Sequence, residues 1–322
     1  MTSIVAAAVL LLIAPATSNQ QPAFAQGASA GKPAQEATSL LGRPLVPAAP
    51  SAEAKARMEA QLAEADAALK AAPDSADALI WVGRRQAYLG RYGDAIATFT
   101  RGIERFPSDA RFYRHRGHRY LTTRQLAEAV TDFEKAVALT RGQPDQVEPD
   151  GQPNARNIPT STLQTNIWYH LGLAHYLRGD FAAASRAYAE DLKISPNDDN
   201  LVAVTHWAYM TARRLGRDDE AKKLLEPITK SLHVIENGSY HRLLLMYKGE
   251  VPEAEILKAV DAGLDLVTIG YGVGNWHFYN GRRDKAFEVW NKILAQKDQW
   301  PAFGYLAAEA DVSRGSSGFA IW

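Results

Sequence analysis

The sequence of 322 residues contains no cysteine. This absence excludes disulfide bonds, thiol nucleophiles and cysteine-ligated zinc, and it is compatible with an oxidising compartment. A net charge is also absent, because 36 Lys and Arg residues balance 36 Asp and Glu residues. A domain that mainly binds nucleic acid usually has a strong excess of basic residues. We therefore expect no nucleic-acid partner.

The sequence also has no long apolar run near its start that could span a membrane. Residues Ile4 to Ala14 form a run of 11 residues, which is too short to cross a bilayer. A small-x-small motif, Ala23 to Ala25, follows it. We predict a signal peptide over residues 1–25, although Met1 to Ser3 carry no basic residue. The expected location is the periplasm or the outside of the cell, with no stable membrane insertion after cleavage near Ala25; an uncleaved anchor is the alternative.

A repeated set of small and large residues is the strongest positive signal. A glycine, an alanine and an aromatic residue occur together as Gly83, Ala95 and Phe99, as Gly117, Ala129 and Phe133, and as Gly172, Ala184 and Tyr188. The second set follows the first by 34 residues, and the third follows the second by 55. A repeat of this length predicts helix–turn–helix units that must stack, because one hairpin cannot bury its apolar face alone.

The repeat resembles the tetratricopeptide repeat. The unit that matches this family best has its pattern at Trp168, Leu171, Gly172, Gly179, Ala184, Tyr188 and Pro196. The resemblance covers about residues 76–296 and weakens toward the C-terminus, and the whole chain also resembles uncharacterised exported bacterial proteins of this family. It implies an all-α fold, a right-handed superhelical array of helical hairpins with helical caps. It also implies a non-catalytic scaffold or adaptor, here of the bacterial cell envelope, that binds a protein or peptide in a concave groove.

The order of segments follows from the repeats and from composition. We predict a signal peptide (1–25), a disordered Ala/Pro-rich tether (26–51), an N-terminal capping helix (52–75), hairpins 1 and 2 (76–141), an inserted loop (142–162), hairpins 3 and 4 (163–233), degenerate hairpins 5 and 6 (234–296), and a C-terminal capping helix with a tail (297–322). Within the tether, the apolar stretch Leu40 to Leu45 either docks onto the array or is a chance cluster. The inserted loop either covers one end of the groove or is solvated and binds nothing.

The resemblance also implies where a ligand binds, because the first helix of each hairpin lines the groove in this family. The residues mapped to that face are Arg84, Arg114, His118, Asn166, Tyr169, Tyr176, His206 and Arg213. Aromatic rings stack on apolar side chains and arginine pairs with carboxylates, so this face suits an extended peptide. Arg84, Arg114 and Asn166 approximate the carboxylate clamp of the family, which favours an acidic or C-terminal group. The alternative is that all these residues are ordinarily solvated or packed.

Catalytic and cofactor motifs are not found, and we predict no enzyme, no cofactor and no metal. His115 and His118 share a helix face, but the arginines of the same helix would repel a cation. The glycines at 270, 272 and 274 lack the preceding strand and the Lys-Ser/Thr of a phosphate loop. We expect them to permit close helix packing instead.

A second hypothesis concerns the aromatic C-terminal region. Trp276, Trp290 and Trp300 are predicted to pack the last hairpin and a final helix from Pro301 to Ser313. If Trp276 and Trp300 were instead exposed, they could stack on sugars. The chain would then be an envelope enzyme accessory or a carbohydrate-binding protein.

Overall fold

The computed structural model of the protein describes residues 34–258, 260 and 263–316. The predicted signal peptide, the first residues of the predicted tether and the tail from 317 onward lie outside the described residues. The described part contains a short β-hairpin and fourteen α-helices. Their bounds are β1 Ala37–Thr38, β2 Pro44–Leu45, α1 Ala52–Ala71, α2 Ala76–Tyr88, α3 Tyr92–Arg105, α4 Ala110–Thr122, α5 Leu126–Thr140, α6 Leu163–Arg178, α7 Phe181–Ile194, α8 Asp198–Arg214, α9 Asp218–Leu224, α10 Gly238–Tyr247, α11 Glu253–Leu257, α12 Gly263–Tyr279, α13 Arg283–Leu294 and α14 Phe303–Ser316.

Helices α2 to α13 form six consecutive pairs, so the fold is an all-α repeat array. Polar caps begin many of the helices, because a side-chain oxygen satisfies a backbone N–H that has no partner within the helix. Ser75 caps α2, and Thr162 forms a capping box with Thr165 at the start of α6. Gly179 ends α6 in the left-handed conformation, with φ of 82°. None of the described helices is long and apolar enough to span a membrane.

The repeated glycines and aromatic residues meet each other inside the hairpins. A Cβ atom added to Gly83 would lie 2.5 Å from the Phe99 ring, and one added to Gly117 would lie 3.0 Å from the Phe133 ring. Gly172 is packed in the same way against Tyr188. The repeat therefore has a steric basis: only glycine lets the first helix approach the aromatic side chain of the second this closely.

The same contact occurs in the last hairpin, where Gly274 of α12 faces Trp290 of α13. Gly272 faces Leu243 of α10, and a Cβ atom there would lie 2.6 Å from its side chain. These packed glycines confirm the expectation that this stretch of α12 serves close helix approach.

The segment before α1 is ordered in its described part, so the prediction of a disordered tether is wrong for residues 34–51. β1 and β2 pair antiparallel, and Leu45 is buried in the main hydrophobic core. The backbone N–H of Leu40 donates to Glu309 of α14 over 2.6 Å. The Trp300 indole donates to the Val46 carbonyl over 2.9 Å. Of the two alternatives for the stretch Leu40 to Leu45, the structure therefore shows docking onto the array. The composition of the whole segment favoured disorder, because its few apolar residues stand among Ala, Pro, Gly and Ser.

The last helix packs across the inner face of the array and not only at its end. Asp311 of α14 pairs with Arg214 of α8 over 2.6 Å and accepts from the Tyr271 hydroxyl of α12 over 2.9 Å. The Tyr271 hydroxyl lies 2.8 Å from that of Tyr176 of α6. The first helices of hairpins 3, 4 and 6 thus meet α14 around a buried polar network. This packing closes the part of the groove that a simple capping helix would have left open.

Candidate peptide-binding site

Three arginines from two neighbouring first helices line one cavity of about 110 Å³. Arg84 belongs to α2, whereas Arg114 and Arg119 belong to α4. The residues Arg84 and Arg114 are only 9% and 7% exposed. The remaining side chains around the cavity are Ala87, Tyr88, Phe99, His115, His118 and Glu148. We call this space the cationic cavity.

The inserted loop, residues 142–162, is held against the array beside the cationic cavity. Its two ends are joined by an antiparallel bridge between Val147 and Thr162, and the N–H of Glu148 donates to the Ser161 carbonyl over 3.2 Å. Arg85 donates to the Gly151 carbonyl over 3.0 Å. The inserted loop is therefore packed against the first helices of the array, and its role as a cover of the groove stays a prediction.

A carboxylate of this loop occupies part of the predicted clamp. Oε2 of Glu148 lies 2.9 Å from Nε of Arg114, with both side chains about nine-tenths buried. The Asn166 amide donates to the same oxygen over 3.2 Å. Arg114 and Asn166 do hold a carboxylate, but it belongs to the chain itself.

Positive charge remains uncompensated in the cationic cavity. In the described part of the chain, no carboxylate lies within 4 Å of the guanidinium of Arg84 or Arg119. Arg84 donates to the Tyr88 hydroxyl over 3.3 Å, and Arg119 lies over the Tyr92 ring. Burial lowers the pKa of Arg119 to about 10, which leaves it charged at neutral pH. Among the side chains that line the cationic cavity, three guanidinium groups therefore face one carboxylate, Glu148, and two of them lack a carboxylate within ion-pair distance.

The histidines of the cavity are neutral and add no charge. Burial and the nearby arginines lower the pKa values of His115 and His118 well below the ordinary value. Nδ1 of each ring lies 3.3 Å from Nη1 of Arg114, which can only donate. Each Nδ1 is thus an acceptor, and the proton of the neutral ring is on Nε2. The described residues include no group of three side chains suited to hold a metal ion.

A wider cavity of about 350 Å³ shares the lining residue His118 with the cationic cavity. Its lining residues are His118, Glu236, Asn237, Ser239, Tyr240, Leu264, Asp265, Thr268, Pro301, Ala302 and Phe303. We call it the mouth. The Phe303 ring lies 5.6 Å from that of His118, and Leu264 at the rim is 60% exposed. The two cavities offer cationic groups at one end and aromatic and polar side chains at the other.

The structure separates the predicted groove residues into two sets. Arg84, Arg114 and His118 line the cationic cavity, and Asn166 lies beside them. Tyr169 is 9% exposed, and its ring lies 6.2 Å from that of Phe303.

The other three predicted residues do not belong to this site. Tyr176 and His206 are 0% and 1% exposed, so the prediction that they line an open groove is wrong. The reason is that α14 packs against the first helices, and that Tyr240 stacks on His206 with ring centroids 4.5 Å apart. Arg213 pairs with Asp218 over 2.9 Å and donates to Asn280 over 3.0 Å.

Sequence reasoning missed Arg119, Glu148, Tyr240 and Phe303 as site residues. Arg119 follows His115 by four positions and therefore shares its helix face, which is a usable signal. Glu148 is the one glutamate of the inserted loop. Phe303 could not be found, because nothing in the sequence shows that α14 returns to the first helices.

The aromatic C-terminal region forms no exposed platform in the described residues. Trp290 and Trp300 are 0% and 1% exposed. Trp276 is partly buried, and the Arg282 guanidinium lies 4.4 Å from its ring centre. The second hypothesis required exposed Trp276 and Trp300, so the structure gives it no support.

The fold and the site define a class, a helical-hairpin repeat scaffold with a cationic cavity on its inner face. Two family models, both described as tetratricopeptide repeat, match residues 82–144 and 165–198. The chain is thus a tetratricopeptide repeat protein.

Solved structures of tetratricopeptide repeat and related proteins are similar to the chain at low sequence identity. YrrB, a tetratricopeptide repeat protein with an unusual peptide-binding site, is 18% identical, with 77% of this chain and 97% of that chain covered and a TM-score of 0.41. PilW, a type IV pilus biogenesis factor, is 18% identical, with 75% and 89% covered and a TM-score of 0.43. A tetratricopeptide repeat protein from Parabacteroides merdae is 12% identical, with 80% and 93% covered and a TM-score of 0.49. A comparison with curated proteins found no match.

Proposed function

We propose that the protein is a non-catalytic scaffold that binds an extended segment of a partner protein or peptide. An anionic group of this ligand enters the cationic cavity. The observation that carries the proposal is the pair of arginines, Arg84 and Arg119, that line the cavity without a carboxylate partner. A charge held away from water is normally paired, because its lost hydration must be replaced. A ligand carboxylate would supply that partner.

The mouth suits the part of the ligand that follows the anionic group. Tyr240, Phe303 and the exposed Leu264 offer apolar surface, while Ser239 and Thr268 offer hydroxyl groups. All five belong to helices, so the surface is formed before the ligand arrives and little entropy is lost on binding.

The cell envelope is the location that we propose for this activity. The proposal rests on the apolar run at Ile4–Ala14 and the small-x-small motif that ends at Ala25. Cell fractionation followed by N-terminal sequencing tests it. A mature chain that starts near residue 26 in the periplasm or medium supports it, and a full-length chain in the cytoplasm contradicts it.

Fluorescence anisotropy with a matched pair of peptides tests the binding proposal. One peptide is acidic, and in the other each Asp and Glu is replaced by Asn and Gln. We expect selective binding of the acidic peptide, and a loss of at least about tenfold, or about 1.4 kcal/mol, when Arg84→Ala and Arg114→Ala are combined. Arg84→Gln with Arg119→Gln is the cleaner pair, because it leaves Glu148 with its Arg114 partner.

The matched control is Arg217→Gln, since Arg217 is about half exposed, pairs with the equally exposed Glu220 and lines neither cavity. It should bind the acidic peptide like the wild type. Equal affinity of the wild type and of both double variants for the acidic peptide would show that the cationic cavity does not bind it.

A further inference from the structure

The charge inside the cationic cavity distinguishes between kinds of anion. Arg84, Arg114 and Arg119 carry three positive charges, and Glu148 supplies the one negative charge of the lining residues. A bound monocarboxylate would leave one guanidinium uncompensated. A bound dianion would leave no guanidinium group uncompensated.

The size of the cavity points in the same direction. A volume of about 110 Å³ suits one compact group and not a stretch of peptide. Arginine also offers several N–H donors in a fixed planar fork, and this fork matches the oxygens of a phosphate. The ring Nε2–H groups of the neutral His115 and His118 are further donors on the lining side chains.

We propose that the cationic cavity is a phosphate-binding site, formed by Arg84, Arg114 and Arg119 with Glu148 as the fixed counter-charge. At neutral pH a phosphate group carries about 1.5 to 2 negative charges, and its dianion matches the two guanidinium groups of the cavity that lack a carboxylate partner. The inference deepens the proposed function, since it uses the same arginines. It does not require peptide binding, because free inorganic phosphate fits the same description.

Isothermal titration calorimetry of the whole protein with inorganic phosphate, in phosphate-free buffer, is the test. We expect saturable binding of one phosphate per chain, and no comparable binding of acetate. Arg84→Gln and Arg119→Gln should each weaken it at least tenfold. Arg84→Lys should weaken it less than Arg84→Gln, because it keeps the charge but loses the fork. The control Arg217→Gln should bind like the wild type.

Thermal unfolding with and without phosphate shows whether a variant loses binding because it is misfolded. Phosphate should raise the melting temperature of the wild type and of Arg217→Gln, and not that of Arg84→Gln. Without phosphate, Arg84→Gln should melt no lower than the wild type, since it removes an unpaired buried charge. Absence of saturable binding, or an equal loss in the Arg217→Gln control, would overturn the proposal.

Binding of a phosphoserine peptide and of its serine counterpart distinguishes a phosphorylated segment from free phosphate as the source of the phosphate group. Tighter binding of the phosphopeptide than of inorganic phosphate means that a phosphorylated segment also uses the mouth. Equal or weaker binding means that free phosphate is the ligand. If acidic peptides bind and phosphate does not, this inference fails while the proposed function stands. If phosphate binds and acidic peptides do not, the phosphate-binding site stands and the proposed peptide scaffold is rejected.

Discussion

Arg124 and Glu309 form a buried ion pair between residues 185 positions apart, with Nη2 and Oε2 separated by 2.9 Å. Arg124 stands in the turn between α4 and α5, and its φ of 67° is the left-handed conformation that Gly90 and Gly179 adopt in the corresponding turns. Glu309 belongs to α14, and both side chains are at most 3% exposed. The second hairpin thus accepts a strained arginine where the others have glycine, and this arginine ties the last helix to the inner face of the array.

We expect Arg124→Gly to destabilise the protein although it relieves backbone strain. The strain is on the order of 1 kcal/mol, whereas leaving Glu309 buried without its partner costs about 3–5 kcal/mol. Urea unfolding should show a net loss of at least about 2 kcal/mol. The double variant with Glu309→Gln should recover part of that loss. A single Arg124→Gly variant as stable as the wild type would show that the pair does not hold α14.

The contact between Gly172 and Tyr188 predicts a strict requirement for glycine. A Cβ atom at position 172 would overlap the Tyr188 ring, so Gly172→Ala should cost roughly 1–3 kcal/mol of unfolding free energy. Gly238→Ala is the matched control, since nothing lies within 4 Å of a Cβ atom there. A similar stability of the two variants would contradict the close-packing account of the repeat.

We expect Glu148 to compete with the proposed anionic ligand for the cationic cavity. Glu148→Gln removes the carboxylate that occupies Arg114 and raises the positive charge of the cavity by one. Acidic peptides should then bind at least about threefold more tightly, which is roughly 0.6 kcal/mol. The control is Glu190→Gln, because Glu190 pairs with Lys193 on an exposed surface. Unchanged or weaker binding to Glu148→Gln would mean that the ligand does not reach Arg114.

Asp191 makes stability fall as pH rises. Its side chain is fully buried, and burial raises its pKa from 3.8 to about 8. Between about pH 4 and pH 8 the folded state therefore holds a proton that the unfolded state has lost, so stability decreases across this window. Asp191→Asn should be more stable than the wild type at pH 8, by on the order of 3 kcal/mol, and the difference should vanish near pH 4.

The control for this pH effect is Asp219→Asn, because the Asp219 side chain is 96% exposed. Its stability difference from the wild type should be small at every pH. Thermal unfolding of all three proteins from pH 4 to pH 8 makes the comparison, and a constant difference between Asp191→Asn and the wild type would contradict the raised pKa.

The repeat architecture was predictable because it depends on local pairs. Gly83 and Phe99, or Gly172 and Tyr188, lie in adjacent helices, so sequence spacing alone brings them together. The resemblance to the family also pointed to Arg114 and Asn166 as carboxylate-binding residues, and in the structure they hold the carboxylate of Glu148. That they bind a carboxylate of a ligand stays a prediction.

Long-range closure was not predictable. Glu309 reaches Arg124, and Phe303 reaches His118, only because the array curves enough for α14 to return to the second and third hairpins. That curvature is the sum of many small packing angles and leaves no motif in the sequence. It buries Tyr176, which an open superhelix would have exposed, and it places the docked segment around Leu45 between the two ends of the array.

Photocrosslinking in the native cells tests the central claim, that a partner binds through the mouth and the cationic cavity. A crosslinkable residue replaces Thr268, which lines the mouth. The account predicts one dominant crosslinked protein or peptide with the wild type and with the Arg217→Gln control. The same product should be lost when Arg84→Gln and Arg119→Gln are combined. Recovery of identical products from all three backgrounds would contradict the claim, because the partner would then bind without the arginines that define the site.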